Sequence, residues 1–377
     1  MDNELPLMRK LRVAIVAPSL RILGGQAVQA HRLVEAWRDD PDVDAWLVPV
    51  NPLPPGPFSR AVAIKYLRTL ATETTYLARL VGELRRADVA HVFSASYTSF
   101  LLAPLPAMLM ARAIGRPVIL NYRSGQAPDH LRRSRIARTS IAKVDRTIVP
   151  SRFLVDVFSA FGLRADSVPN VVDLDRFRFR ERLPLKPRLL STRNFEPLYN
   201  VACTLRAFAI VQQRFPEAEL TLVGGGSLDQ ELRSLARTLG LRHVMFTGLV
   251  PPHEIAAYYA AHDLYVQSPN IDNMPTSILE AFASGLPVVS SDAGGVPAIL
   301  TDGTHGLLAP CDDHRTLADR IIRLLEQPAL ARSLTRNALA TCEAYTWPRV
   351  REQWLSHYRG VLGVPTESPV VAALGPR

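Results

Sequence analysis

The sequence predicts an α/β protein of two Rossmann-like domains, each a parallel sheet wrapped in helices, facing one another across a cleft. Three observations carry this. Apolar runs of strand length recur without apolar–polar alternation, as in strands buried on both faces. Segments of helical periodicity separate them, the alternation of a parallel sheet. The pattern then restarts around 163–187, where prolines, charges and a short strand-like Val168–Val172 suggest a hinge. A chain of 377 residues is long enough for two cores.

The first-half runs are Leu11–Ala17, Ala45–Val50, Val89–Phe93, Pro117–Asn121 and Thr147–Pro150. In the second half they are Arg188–Thr192, Glu219–Val223, Val244–Thr247, Asp263–Gln267, Pro287–Ser290 and Gly306–Ala309. Between them, Val201, Leu205, Phe208, Val211 and Phe215 form an apolar stripe after Asn200, a good N-cap. Trp347, Val350, Trp354, Tyr358 and Val361 make one face of a final helix. The expected division is a first domain over 1–168, a second over 169–345, the final helix over 346–362 and a flexible tail over 363–377.

Hydrophobic content of 47% and charged content of 21% are those of a soluble globular protein. Cys203, Cys311 and Cys342 are odd in number and scattered, so they supply neither a disulfide framework nor a Cys-x-x-Cys metal site, and a reducing compartment is expected. Val13 to Leu20 begins a strand and leads into a glycine turn, which is not the pattern of a secretory signal. Phe100 to Met110 is broken by Pro104 and Pro106 and is too short to span a bilayer. A cytoplasmic location is expected.

The net charge of +9 arises from 44 Lys+Arg against 35 Asp+Glu. No helix-turn-helix, zinc finger or aromatic RNA platform is present, so phosphate-bearing ligands are favoured over nucleic acid. Arg132, Arg133, Arg135 and Arg138 cluster with Leu131 and Ile136 in an expected basic helix. Such a segment either is a solvated face or makes weak peripheral contact with an anionic membrane.

The most informative segment is Asn270-Ile271-Asp272-Asn273-Met274-Pro275-Thr276-Ser277-Ile278-Leu279-Glu280. Two carboxylates, Asp272 and Glu280, stand either side of a loop that turns into a helix. Pro275 suits the first helical position, where its missing N–H costs nothing. The amides of Thr276, Ser277 and Ile278 then lie among the unpaired donors of the helix start, a site for an anion. Glu280 is four residues past Thr276 and shares its face, within reach of a neutral polyol beside that anion. Diphosphate flanked by ribose and sugar hydroxyls fits: a nucleotide-sugar. The plain alternative is a capped helix on a parallel strand.

These residues resemble the Glu-x7-Glu signature of the family 4 retaining glycosyltransferases, with Asp272 in the first acidic position. Ser291-Asp292-Ala293-Gly294-Gly295-Val296-Pro297 is similar to that family's strand-end Gly-Gly turn. The resemblance extends from Gly24 to Trp354 and is densest in Arg193–Pro297. It implies that Glu280 holds the nucleotide ribose and that Asp272 contacts the transferred sugar. It also implies that amides between them, those of Asn273, Met274, Thr276, Ser277 and Ile278, hold the distal phosphate. The first domain would serve the acceptor and the second the donor, with the final helix crossing back onto the first domain. The alternative for that helix is to close the second domain.

Further positions follow from the same resemblance. Gly24-Gly25 looks like the glycine-rich loop at the cleft, though such a pair is also an ordinary tight turn. Gly224 and Val250 lie in loops similar to those lining the nucleoside pocket. Arg193, at the end of a strand, matches the Arg that neutralises the leaving diphosphate, and guanidinium suits that work. The partner Lys is absent, and Tyr199 stands in its place. Arg123 occupies a position where family members commonly carry His. It cannot act as a general base. It either screens phosphate charge or binds a neighbouring carboxylate such as Asp129.

Asp42-Val43-Asp44 and Asp173-Leu174-Asp175 spell Asp-x-Asp, but neither lies in the single-domain context where that motif holds manganese, so no metal and no cofactor is expected. The leading reading is metal-independent, retaining transfer of a sugar to a glycan or lipid-linked acceptor, in cell-surface polysaccharide or glycolipid synthesis. The rivals are a nucleotide-sugar epimerase, for which His91 reads as a core residue and not a base, and a non-catalytic nucleotide-sugar binder. A nicotinamide enzyme is disfavoured, because no Gly-x-Gly-x-x-Gly follows the first strand.

Overall fold

The computed structural model describes residues 9–21, 24–52 and 65–364, with the side chains of 65–71 excepted. Most of the expected tail, 365–377, lies outside the described residues. In chain order the first half contains β1 (Leu11–Ala17), α1 (Gly25–Ala36), β2 (Val43–Pro49), α2 (Lys65–Arg86), β3 (Val89–Ser94), α3 (Tyr97–Leu102) and α4 (Pro104–Ala113). It continues with β4 (Val118–Tyr122), α5 (Ala127–Arg133), α6 (Arg135–Ile141), β5 (Arg146–Val149), α7 (Arg152–Ala160) and β6 (Asp166–Ser167). The second half begins with β7 (Arg188–Ser191), α8 (Val201–Arg214), β8 (Glu219–Val223), α9 (Asp229–Thr238), β9 (Val244–Gly248), α10 (Ile255–Ala261) and β10 (Leu264–Gln267). It ends with α11 (Thr276–Ser284), β11 (Val288–Ser291), β12 (Leu307–Ala309), α12 (His314–Glu326), α13 (Pro328–Cys342) and α14 (Trp347–Val361).

The strands form two six-stranded sheets, ordered β2-β1-β3-β4-β5-β6 and β12-β11-β10-β7-β8-β9. Every ladder in both is parallel. The burial that this demands explains the unbroken apolar runs: Val13 through Ala17 and Val118 through Leu120 have no exposed surface. Each sheet reverses its strand order once, at β1/β3 and at β7/β10, and such switch points open a crevice beyond the strands' carboxyl ends. The Gly24-Gly25 turn follows β1, Arg193 follows β7, and the Asp272 loop follows β10, so both crevices receive the residues singled out in the sequence.

Two expectations need correction. The strand-like Val168–Val172 is not a strand; the short edge strand is Asp166–Ser167, two exposed polar residues that no hydrophobic pattern marks. Val168 and Val172 are instead buried anchors of the connection, the former in the first domain's core and the latter in the second's. The basic segment is also not one helix. Ser134 ends α5 and caps α6, its hydroxyl accepting from the Ala137 amide, and this leaves Leu131 buried but Ile136 56% exposed.

Helix α14 packs on the first domain. Val350, Trp354, Leu355 and Tyr358 share a core with Val13, Ile15, Ile119 and Ile148. The Tyr358 hydroxyl meets His91 Nδ1 at 2.8 Å, and Asn121 Nδ2 meets the ring's other nitrogen at 3.0 Å. His91 is thus a wholly buried core residue, with burial holding its pKa down to about 3. Arg351 and Arg359 pair with Asp42, at 2.6 and 3.0 Å, which gives the first Asp-x-Asp an anchoring role. The second is a turn: Asp173 Oδ1 accepts from the amides of Asp175 and Arg176, both at 3.1 Å. Among the described residues no group of three or more His, Cys, Asp or Glu could hold a metal ion. No helix among them is long and apolar enough to cross a membrane.

Candidate donor and acceptor cavities

Two adjoining cavities occupy the cleft. The first, about 200 Å³, is lined by Gly24, Gly25, Gly224, Val250, Arg193, Thr276, Ser277 and Glu280, all singled out in the sequence. The second, about 250 Å³, is lined by Arg123, Asp272, Asn273 and Met274, and shares Gly25, Arg193 and Thr276 with the first.

Arg193 sits where the two meet. Its guanidinium donates to Asp272 Oδ2 through Nη2 and to Ser277 Oγ through Nη1 at 3.2 Å, and its buried Nε has no partner among the described residues. Burial opposes its charge, but Asp272 and the surrounding phenols outweigh this and raise its pKa, so it remains a cation. Tyr199, in the place of the expected Lys, lies under it with the ring centre 4.1 Å from the guanidinium carbon. A backbone constraint fixes this geometry. A Cβ on Gly224 would collide with the Arg193 carbonyl, so only glycine lets β8 end against that loop.

The acidic loop is braced from behind. Gly294, at φ +51°, and Gly295 lie so close to the Asp272 and Asn273 carbonyls that a side chain on either would clash, and the Gly295 amide donates to Asp272 O at 3.2 Å. Asp272 Oδ1 in turn accepts from the Asn273 amide at 2.7 Å. The Gly-Gly turn therefore positions the carboxylate that faces Arg193.

The start of α11 departs in detail from expectation. Pro275, at ψ 114°, is the N-cap and not the first helical residue. The Ile278 amide donates back to Pro275 O at 3.2 Å, and its side chain is in the core, so Ile278 lines neither cavity. The amides of Thr276 and Ser277 make no hydrogen bond to described residues and remain the donors for an anion. Asn273 is tied to the first domain and Met274 to the connection between the domains: Asn273 Oδ1 accepts from Ser151 Oγ, and the Met274 carbonyl accepts from Asn170 Nδ2 at 2.7 Å. They hold the domains together beside the second cavity more than they offer groups to the first.

Arg123 does not reach a carboxylate. Its Nη1 donates to Asn121 Oδ1 at 3.2 Å and its guanidinium lies 5.5 Å from the centre of the Phe93 ring. Asp129 is already engaged by Tyr97 and Arg133.

Arg32 was missed. From α1 it crosses the cleft to Glu280, Nη2 to Oε1 at 2.7 Å, and lines the first cavity, while its buried Nη1 has no partner among the described residues. The signal was present. Gly25, Gln29 and Arg32 recur at helical spacing, so the face that begins with the glycine turn carries on as the cleft face of α1. Leu249, Val250, Pro252 and Ile255 give the first cavity an apolar end.

Two facing Rossmann-like domains, with unpaired helix-start amides and a guanidinium in the cleft, define the class of two-domain glycosyltransferases. Known families agree: "Glycosyl transferase 4-like domain" matches residues 9–171 and "Glycosyl transferases group 1" matches 175–341. The chain belongs to the family 4 type of glycosyltransferase.

A phosphatidyl-myo-inositol mannosyltransferase of Mycobacterium tuberculosis is 34% identical over 215 residues, 54% of this chain and 56% of that protein. The match thus spans about half the length of that relative. The protein of the same description in Mycolicibacterium smegmatis is 28% identical over 96% of this chain and 97% of its own length. Among solved structures, a sucrose-phosphate synthase of Thermosynechococcus elongatus superposes with TM-score 0.74 at 20% identity, covering 94% of this chain and all 100% of the other. Anabaena HepE in complex with UDP-glucose gives 0.74 at 19%, covering 93% and 100%. At such identities these structures establish the shared fold.

Proposed function

We propose that the protein transfers a hexose from a nucleotide-sugar, with retention of configuration and without a bound metal, to a glycan or lipid-linked acceptor in cell-surface polysaccharide or glycolipid synthesis. The observation that carries this reading is the first cavity, where Arg193, the free amides of Thr276 and Ser277, Glu280 and the Gly24-Gly25 turn surround one space. A diphosphate placed there meets a guanidinium, a helix N-terminus and a glycine turn beside which a Cβ would touch no atom of the described residues within 4 Å. Arg32, from the opposite domain, supplies the second cation that the Lys-to-Tyr199 change removes. Glu280 takes ribose hydroxyls, and the apolar end formed by Leu249, Val250, Pro252 and Ile255 takes the base.

The sugar then projects past Arg193 toward Asp272 and the second cavity. As the anomeric C–O bond breaks, its electron pair passes to the leaving diphosphate, and Arg193 with the α11 amides stabilises that charge. The acceptor oxygen bonds to the anomeric carbon on the same face, and its proton goes to the departing phosphate oxygen. No protein nucleophile is required, so Arg123 in place of His is compatible with the chemistry. Asp272 orients sugar hydroxyls.

A cytoplasmic location, with peripheral contact at an anionic membrane through the exposed Arg132, Arg133, Arg135 and Ile136, belongs to the same proposal. Thermal-shift measurements against nucleotides and nucleotide-sugars test the reading, because a ligand of the native state raises the melting temperature. Stabilisation by a nucleoside diphosphate and by its hexose conjugate is expected. No response to any nucleotide would overturn it.

A further inference from the structure

The second cavity contains donors and a cation without a counter-charge. Arg123 Nη2 and Gln29 Nε2 are buried there with no hydrogen-bond partner among the described residues. Among the described residues Asp272 is the one acidic residue lining it, and both its oxygens are engaged, by the Asn273 amide and by Arg193. None of the ion pairs among the described residues includes Arg123, whose contacts are an amide oxygen and an aromatic face. Burial pulls its pKa down to about 10, so at neutral pH the side chain is still a cation, and an uncomfortable one. An unpaired buried charge is strongly unfavourable and persists where a ligand completes it. Gln26, Gln126 and Ser124 add neutral polar groups around the same space, suited to hydroxyls.

We propose that the second cavity binds an anionic acceptor, a polyol or sugar carrying a phosphate, with the phosphate on Arg123 and Gln29 and a free hydroxyl directed toward Asp272 and the donor. This deepens the transferase reading and rests on it. The phosphate is either a monoester of a soluble polyol or the diester of a lipid headgroup, since both present the same oxygens to a guanidinium.

Calorimetry on the full chain saturated with a nucleoside diphosphate tests this, with glycerol 1-phosphate, glycerol and monomeric dihexanoyl phosphatidylglycerol as probes. Glycerol 1-phosphate or the phosphatidylglycerol should bind at least tenfold more tightly than glycerol. The tighter of the two identifies the monoester or the lipid as the source. Arg123→Gln should abolish that preference while nucleoside diphosphate affinity stays within about twofold, and Arg123→Lys should retain part of it. Binding of both phosphate probes no tighter than glycerol, or a preference unchanged in Arg123→Gln, would overturn the proposal. So would a large loss of nucleotide affinity in Arg123→Gln, which would move Arg123 to the donor side. Failure of the wild-type protein to bind any nucleotide is a separate result, seen before the probes are added, and it removes the transferase reading itself.

Discussion

The guanidinium of Arg193 lies 4.1 Å from the centre of the Tyr199 ring. The position that carries Lys elsewhere in the family therefore supports the neighbouring cation instead of adding another. A desolvated cation–π contact is worth about 2 kcal/mol. Tyr199→Phe should keep kcat/KM close to wild type, since the π face is what Arg193 uses. Tyr199→Ala should lower it by roughly ten- to thirtyfold. Tyr199→Lys should not rescue it, because two cations would then face one another. Steady-state kinetics on the three variants decides, and a Phe variant as weak as Ala would transfer the role to the hydroxyl.

Glu280 carries the ribose in this account, but Arg32 holds one of its oxygens at 2.7 Å. Glu280→Ala should weaken nucleotide-sugar binding by on the order of 1–3 kcal/mol, through lost charge-assisted hydrogen bonds and a stranded guanidinium. Glu280→Gln should lose less. Arg32→Ala should also weaken binding, and the double variant should lose less than the sum of the singles. Calorimetry of all four proteins measures this. Unchanged affinity in Glu280→Ala would remove the ribose assignment.

The eleven apolar runs read as sheet strands are strands of the structure, because a parallel sheet buried on both faces leaves its mark as continuous apolar residues, whereas the strand-like Val168–Val172 of the connection is not one. The edge strand Asp166–Ser167 left none, since its two residues are polar and exposed. At the site, Thr276, Ser277 and Glu280 were legible as one constellation because loop and helix chemistry place them locally, and Arg193 was legible from its place at a strand end together with the family resemblance. For Arg32 only the cleft face of its helix was legible, from the spacing that begins at Gly25, because its pairing is with a residue 248 positions away across the cleft. Arg123 was visible, but its lack of a carboxylate partner is a property of packing: Asp129 is consumed by Tyr97 and Arg133.

The anchoring of α14 should be acid-sensitive. His91 has a folded-state pKa of about 3, against 6.5 for a free ring. Above pH 6.5 the ring is neutral in both states and contributes nothing to the pH slope. As pH falls from 6.5 toward 3 the unfolded chain takes up a proton that the folded core refuses, so stability drops by up to about 1.4 kcal/mol per pH unit from this group. His130 and His357, also shifted down by burial, act in the same direction. Urea unfolding at pH 7 and pH 5 should show a smaller difference for His91→Gln than for wild type. Equal differences would place the acid sensitivity elsewhere.

A chelator should leave transfer intact. Arg193, Arg32 and the α11 amides are expected to balance the diphosphate without a cation. Inactivation by EDTA, reversed by manganese or magnesium, would contradict this and return attention to the Asp-x-Asp segments.

The central claim is front-face transfer from a nucleotide-sugar with Asp272 as an orienting group, and product stereochemistry tests it most directly. NMR of the glycoside formed from an α-linked donor, in EDTA, should show an α-linkage and one nucleoside diphosphate released per sugar transferred. Asp272→Asn should give the same anomer at reduced but measurable rate. A β-linked product, or a sugar trapped covalently on Asp272, would contradict the account.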